Sequence, residues 1–295
     1  MSVASEDFIL DTIPQRIEPS SKRGTRRMNV SLIAGFAIIG LLLVAGIVAG
    51  FHPPYDPYAT GDDPFAAPSA AHWLGTDNLG RDFASRLILS LRTDVLLSLS
   101  TCLLAALFGA VIGLTAGYFG GIWDAVSMRV VDGVLAIPGI LIALLIRVIL
   151  GAGSWQLVLA MAVIYTPMMA RVMRAPALQL RTREYVAAAR IAGIPSWRTV
   201  STHILFNSLS PMLVQAASIA SNAVAMEAAL SYLGQGIQPP QPSAGRMVFE
   251  YQMYMQTDPL LVIAPTVLIV LLSFGWNLIA DGFQTYFSLS ESDRL

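Results

Sequence analysis

Residues 183–195 read Arg183-Glu184-Tyr185-Val186-Ala187-Ala188-Ala189-Arg190-Ile191-Ala192-Gly193-Ile194-Pro195. Alanine is the strongest helix former, so the run predicts a short helix. Gly193 suits a left-handed cap and Pro195 cannot continue a helix, which places the stop there. Ser196 is positioned to cap a following helix. Small side chains let another backbone approach closely, and Glu184 and Arg190 offer directional contacts at the edges. The stretch therefore reads as a docking knob for a cytoplasmic partner, or else as an amphipathic loop helix on lipid headgroups. A helix-turn-helix in a basic loop also raises DNA binding. The Ala-rich middle carries no base-reading side chains and the element is tethered between apolar runs, so nucleic acid is not the expected partner.

Those flanking runs decide the fold class. A membrane-spanning helix needs about 20 apolar residues. On one side lie residues 151–170, uncharged; on the other, residues 199–226 lack Asp, Glu, Lys and Arg, and a span over residues 211–233 is expected there, with Glu227 inside it. Further out, Val30–Phe51, residues 95–119 and residues 259–280 are uncharged throughout. Residues 130–150 form a sixth candidate, interrupted by Pro138 and bracketed by Asp132 and Arg147; tilt and snorkelling would let those end charges reach the interface. The expectation is an all-α membrane protein of six transmembrane helices. The first run, at 22 residues, exceeds the 7–15 of a secretory signal core and reads as an uncleaved span.

Composition agrees. The 295 residues are 55% hydrophobic and 13% charged, with mean hydropathy +0.63. Soluble domains carry about 25% charged residues, so disorder, collagen-like repeats and an ordinary soluble enzyme are disfavoured. The single Cys102 excludes a disulfide framework or a Cys-based metal cluster. With the N-terminus inside, 13 of the 18 basic residues fall on the inner side: Arg16, Lys22, Arg23, Arg26 and Arg27 in the tail, Arg129, the six arginines from Arg171 to Arg198, and Arg294. Arg81, Arg86, Arg92 and Arg246 fall outside, and Arg147 at an outer helix end. That asymmetry predicts N-in, C-in. No phosphate loop, His-Glu-x-x-His or Gly-x-Ser-x-Gly is present, and no catalytic set converges on the spans, so no enzyme, catalytic residue, cofactor or metal site is expected in the chain.

Two polar regions remain. The outer segment, residues 52–94, begins with Pro53, Pro54 and Pro57, which impose extended geometry. Asp77, Arg81 and Asp82 are close enough to pair locally; His72 and Asp77 lack the further ligands a metal needs. The four-residue spacing of Phe83, Leu87 and Leu91 predicts an amphipathic helix on the membrane surface. Glu227 is costly inside a span and is expected to face either a water-filled path or a helix partner. Asp281 marks the inner end of the last span. Arg129 and Asp132, three apart, are expected to pair on one helix face.

Taken together, these segments resemble the permease subunits of bacterial ABC importers, most closely the C-type permease of dipeptide and oligopeptide systems. The family's coupling motif runs Glu-Ala-Ala, three residues, Gly, then Ile-x-Leu-Pro; Glu184 to Arg190 with Gly193 is similar to its peptide-permease form. His203-Ile204-Leu205-Phe206-Asn207 matches the second part, with Phe206 where Pro is usual. Leu74-Gly75-Thr76-Asp77-Asn78-Leu79-Gly80-Arg81-Asp82 with Ser85-Arg86-Leu87 resembles the C-type rather than the B-type subunit. Tyr118-Phe119-Gly120-Gly121, Asp124, Met128-Arg129 and Asp132 resemble the second inner loop. Glu227 through Pro240, with Gln235 in place of a hydrophobic residue, and Asn277 through Gly282 resemble the last two spans.

The resemblance covers about residues 30–285 and implies a type I ABC importer permease fold, MetI-like, in the bacterial cytoplasmic membrane. It divides the chain into an inner tail (1–29), a first span (30–51), an extracytoplasmic segment (52–94), a five-helix core (95–285) with a coupling loop (171–210), and an inner C-terminal tail (286–295). It implies three kinds of protein partner, namely a B-type permease, two cytoplasmic ATPases or a fused pair, and an external peptide-binding protein, with the lipid bilayer around them. ATP and Mg would reside on the ATPases. Glu184, Tyr185, Ala188, Ala189, Arg190 and Gly193 would form the coupling surface, while Gly75, Asp77, Gly80, Arg81, Asp82, Asp132 and Asp281 would be structural. The same scaffold also serves nickel, glutathione and other small solutes; an ATP-independent channel or carrier is the rival from another class.

Overall fold

The structure, a computed structural model, describes residues 30–292; the N-terminal tail with its five basic residues, and Arg294, lie outside the described residues. Eleven α-helices follow one another: α1 Val30–Phe51, α2 Phe83–Phe119, α3 Gly121–Leu135, α4 Gly139–Leu150, α5 Ser154–Leu180, α6 Glu184–Ile191, α7 Ser196–Thr199, α8 Leu205–Asn207, α9 Leu209–Tyr232, α10 Ala244–Tyr251 and α11 Leu260–Ser292. Among the described residues no strand forms; Thr76 and Asp82 make one isolated bridge. Five helices (α1, α2, α5, α9 and α11) are long and apolar enough to cross a bilayer. The fold class expected from the sequence is the one observed, with three corrections.

The sixth expected span is broken. Helices α3 and α4 meet at a 91° bend. Pro138, with φ −53° and ψ 123°, begins α4, and a proline cannot donate the hydrogen bond that would carry α3 through it. Arg147 does not snorkel to the interface. It is 2% exposed, and its Nη1 and Nη2 donate to the carbonyls of Gly153 (2.6 Å) and Gly236 (2.9 Å). The guanidinium thus ties the end of α4 to the start of α5 and to the loop after α9.

The expected surface helix through Phe83, Leu87 and Leu91 is the start of α2, one 37-residue helix. Asp82 caps it, accepting from the Ser85 amide at 2.8 Å. Its inner face carries Arg86, Ser90, Asp94 and Ser98 four residues apart, all buried. This polar row meets partners from distant helices. Arg86 Nη2 donates to Glu250 at 3.1 Å, the Ala244 amide to Asp94 at 2.9 Å, and Trp276 Nε1 to Ser98 at 3.2 Å. Apolar spacing points α2 at lipid; the buried polar row turns it into the scaffold for α10 and α11.

The predicted Arg129–Asp132 pair is replaced. Asp132 accepts from Arg171 Nη2 at 2.6 Å, and Arg174 forks onto Asp124 at 2.5 and 2.7 Å. Both arginines lie on α5, which continues to Leu180, so the inner loop begins ten residues later than its charges suggested. They fasten α3 to α5. Helix α3 is otherwise held by little burial: Val131 is its one buried residue.

The centre of the molecule is the crossing of α2 and α5. Gly109, Gly113 and Gly117 lie four apart on α2. A Cβ on Gly109 would come 2.5 Å from Met169 Cβ, one on Gly117 2.6 Å from Ala177 Cβ, and one on Gly113 would collide with the Ala170 carbonyl. Met169, Ala170, Met173 and Ala177 are correspondingly buried. In lipid, such small-residue faces give backbones the van der Waals contact that hydrophobicity cannot supply. The α1–α11 pair uses the same device: a Cβ on Gly35 would meet Ile279 at 2.8 Å, and one on Gly275 would meet Ile39 at 2.9 Å.

Candidate functional site

The inner loop is built from the end of α5 downward. Arg183, in extended conformation, opens α6, and Ala192 closes it. Gly193 then adopts φ +74°. Its amide donates to the Arg190 carbonyl at 3.1 Å and that of Ile194 to the Ala189 carbonyl at 3.0 Å, so the left-handed residue satisfies the helix's last carbonyls. Ser196 does not cap α7; Pro195 holds the cap position and Ser196 is the first helical residue.

One face of α6 is fixed to its own chain. Val186 and Ala189 are buried, Arg190 Cζ sits 5.8 Å from the Tyr118 ring, and Tyr185 packs near His203, ring centroids 6.2 Å apart. Ala189, expected on the docking surface, therefore belongs to the inner face. The outward face carries Glu184, Tyr185, Ala187, Ala188, Ala192 and Gly193. Beside them stand two large apolar side chains that sequence reasoning passed over, Ile191 (88% exposed) and Trp197 (72% exposed). Exposed apolar groups rimmed by Arg183, Arg190 and Arg198 are the composition of a protein-docking surface.

Beyond α7 the chain passes through a π-turn, Val200–Ile204, before α8. The break between α8 and α9 falls at Ser208, with φ −111° and ψ 9°. Its hydroxyl returns to the Ile204 carbonyl at 2.7 Å. The bend that the family proline would impose is thus made by the π-turn and Ser208, and Phe206 points outward, 65% exposed.

Glu227 is 3% exposed. It accepts from Ser231 Oγ at 2.6 Å and Ser243 Oγ at 2.8 Å. Ser243 caps α10, accepting from the Arg246 amide at 3.1 Å, and the next amide, Ala244, goes to Asp94. Two buried carboxylates, from α2 and α9, thus gather at the N-terminus of α10, where unpaired N–H groups and the helix dipole favour negative charge. Through Ser243, Glu227 joins α9 to the start of α10. Asp94 was missed; the four-residue polar row on α2 is the pattern that would have found it.

The outer segment forms a second polar knot. Asp77 is fully buried. It accepts from the amides of Leu79 (2.8 Å) and Arg81 (3.0 Å), from Arg81 Nε (2.6 Å) and from Tyr251 Oη (2.8 Å). Arg86 Nε lies 3.6 Å from it. Burial pushes the Tyr251 hydroxyl far above the ordinary phenol range. Gly75 and Gly80 take φ of +77° and +70° on either side of Asp77. Asp82 also receives His72 Nδ1 at 2.8 Å; among the described residues no group of three metal-ligating side chains occurs. Asp281 is exposed on α11.

Residues 109–290 match the description of the binding-protein-dependent transport system inner membrane component family. The chain belongs to this family. The matched region begins at Gly109, the first of the three α2 glycines, and takes in α6 and both last spans. The permease is 35% identical over 254 residues to the dipeptide transport system permease protein DppC of Alkalihalophilus pseudofirmus, covering 84% of each chain. It is also 35% identical over 260 residues to the glutathione transport system permease protein GsiD of Pectobacterium atrosepticum, covering 88% of the permease and 86% of that protein. A chain from the inward-facing structure of the MetNI methionine ABC transporter shares the fold at TM-score 0.51 and 22% identity, over 65% of the permease and 93% of that chain. The permease is a multi-pass protein of the inner membrane and has the helical fold of an ABC importer permease.

Proposed function

We propose that the permease is the C-type transmembrane subunit of an ABC importer that carries di- or oligopeptides inward, with both termini cytoplasmic. Its partners in this reading are a B-type permease, two ATPase subunits that bind ATP and Mg, and an external peptide-binding protein. The outward face of α6, with Glu184, Ala188 and Gly193 beside exposed Ile191 and Trp197, carries the reading. It offers a partner a small-residue seat flanked by two apolar anchors. Likeness to dipeptide and glutathione permeases at the same identity supports a peptide substrate and keeps glutathione, itself a peptide, as the second reading.

The test is to co-purify the complex from its native membrane, identify its subunits, and measure ATP hydrolysis with the binding protein loaded with dialanine or with glutathione. Stimulation by dialanine supports the first reading, by glutathione alone the second; no ATPase in the complex sinks both. Nothing lies within 4 Å of a Cβ built on Gly193, so a side chain there meets no other part of the chain; its φ of +74° strains any non-glycine residue, which is why two variants are compared at equal membrane abundance. Gly193→Trp is expected to lower peptide-stimulated hydrolysis at least about tenfold, while Gly193→Asn, which tolerates the left-handed region, retains most of it. Equal activity of the two variants at equal membrane abundance would remove α6 from the interface.

A further inference from the structure

We propose that the cleft between α2 and the start of α5, beside the end of α1, is a phospholipid site of the outer leaflet, with the lipid phosphate on Arg92 and an acyl chain along Leu96, Leu97 and Val158. The cleft has a volume of about 360 Å³, and Tyr58 and Trp155 also line it.

The argument begins with charge. Other outer-side arginines have partners: Arg81 on Asp77, Arg86 and Arg246 on Glu250, and Arg147 on two carbonyls. Among the described residues Arg92 has no hydrogen-bonding or ion-pairing partner. It is exposed and held against the last turns of α1: a Cβ on Gly46 would come 2.6 Å from its amide nitrogen, and one on Gly50 2.8 Å from its Nη1. The two glycines make room for the arginine beside α1 and hold its charge at that edge.

The surroundings are those of a bilayer boundary. Val44, Val48 and Phe51 at the outer end of α1 are exposed and face lipid. Trp155 is 57% exposed and Tyr58 44%, the amphipathic aromatics that settle at headgroup level. Below Arg92 the wall is mainly aliphatic, with Leu97 and Val158 buried and Leu96 partly exposed, and the hydroxyls of Thr93 and Ser100 interrupt it. One fixed cation above an apolar channel opening toward lipid matches an amphiphile with an anionic head. Guanidinium pairs with phosphate through parallel charge-assisted hydrogen bonds, and phospholipid is the abundant phosphate at that depth. A peptide carboxylate would satisfy the charge but leave the apolar wall wet.

Native mass spectrometry of the full-length chain in detergent, titrated with dioleoylphosphatidylglycerol, tests this. Arg92→Gln is expected to weaken the first bound lipid about tenfold, while Arg92→Lys recovers most of it. Ser100→Phe, which intrudes on the cleft without changing charge, should weaken it as well. Glycerol phosphate, lacking acyl chains, should not compete. Unchanged affinity in folded Arg92→Gln overturns the proposal. So does displacement of the lipid by dialanine in an Arg92-dependent way, which would assign the cleft to substrate. Should Arg92→Gln fail to fold, Ser100→Phe decides alone: parental affinity in that variant overturns it.

Discussion

Asp77→Ala should unfold the outer segment and lower the thermal midpoint of the purified permease more than any surface change. Asp77 accepts from two amides, one guanidinium and one phenol within 3.0 Å. Truncation strands all four donors, and Arg86, 1% exposed with its Nε lacking a hydrogen bond, loses a neighbouring counter-charge. Breaking a buried ion pair from one side costs about 3–5 kcal/mol. For a chain of this size that is on the order of 10 °C in midpoint. Tyr251→Phe removes one of those bonds and should cost about 1 kcal/mol. The comparison separates the two causes: if Asp77→Ala shifts the midpoint no further than Tyr251→Phe, the knot is not what holds residues 52–82 to α2 and α10. Limited proteolysis of right-side-out vesicles gives a second readout, since a released outer segment should be cut early.

Gly113→Leu should separate α2 from α5 and prevent assembly. The added side chain would begin at a Cβ already colliding with the Ala170 carbonyl and 2.9 Å from Met173 Cβ. Both neighbours are buried and backbone does not give way cheaply. Overpacking costs about 1–3 kcal/mol where side chains can shift, and more where they cannot; here the whole crossing must open. The expected result is loss of monodisperse protein and degradation in the membrane, with Gly113→Ala intermediate. Gly40→Leu is the control, because nothing lies within 4 Å of a Cβ there, and it should behave as the parent. Normal accumulation of Gly113→Leu would mean that this crossing is looser than its geometry.

Much of this molecule was legible before its structure. The uncharged runs located α1 and α9 to within a few residues and the start of α11, which runs twelve residues beyond its apolar stretch, because a helix crossing lipid must be apolar along nearly its whole length, and that is a one-dimensional property. The Gly193 stop was legible for a similar reason: φ above zero is a local demand that few residues meet. The helix of α6 was legible, but not which of its faces is free. Ala188 and Ala189 are chemically identical, yet the first is exposed and the second buried, a difference set by how α6 packs on the rest of the chain.

The polar residues behaved oppositely. Arg86 and Asp94 read as reasons to end a span, yet α2 runs through both, since Glu250 and the Ala244 amide reach them from more than 140 positions away. Asp132 passed over Arg129 on its own helix for Arg171 on α5, and Arg147 turned inward to carbonyls. The sequence by itself determined an all-α membrane protein, most of its apolar spans and the short Ala-rich helix with its glycine stop, because burial in lipid and backbone conformation are set residue by residue. Only the tertiary structure decided where each charge goes. The partner of a buried charge is whichever distant segment packs beside it, and in a low-dielectric interior that choice governs whether the charge is tolerated at all.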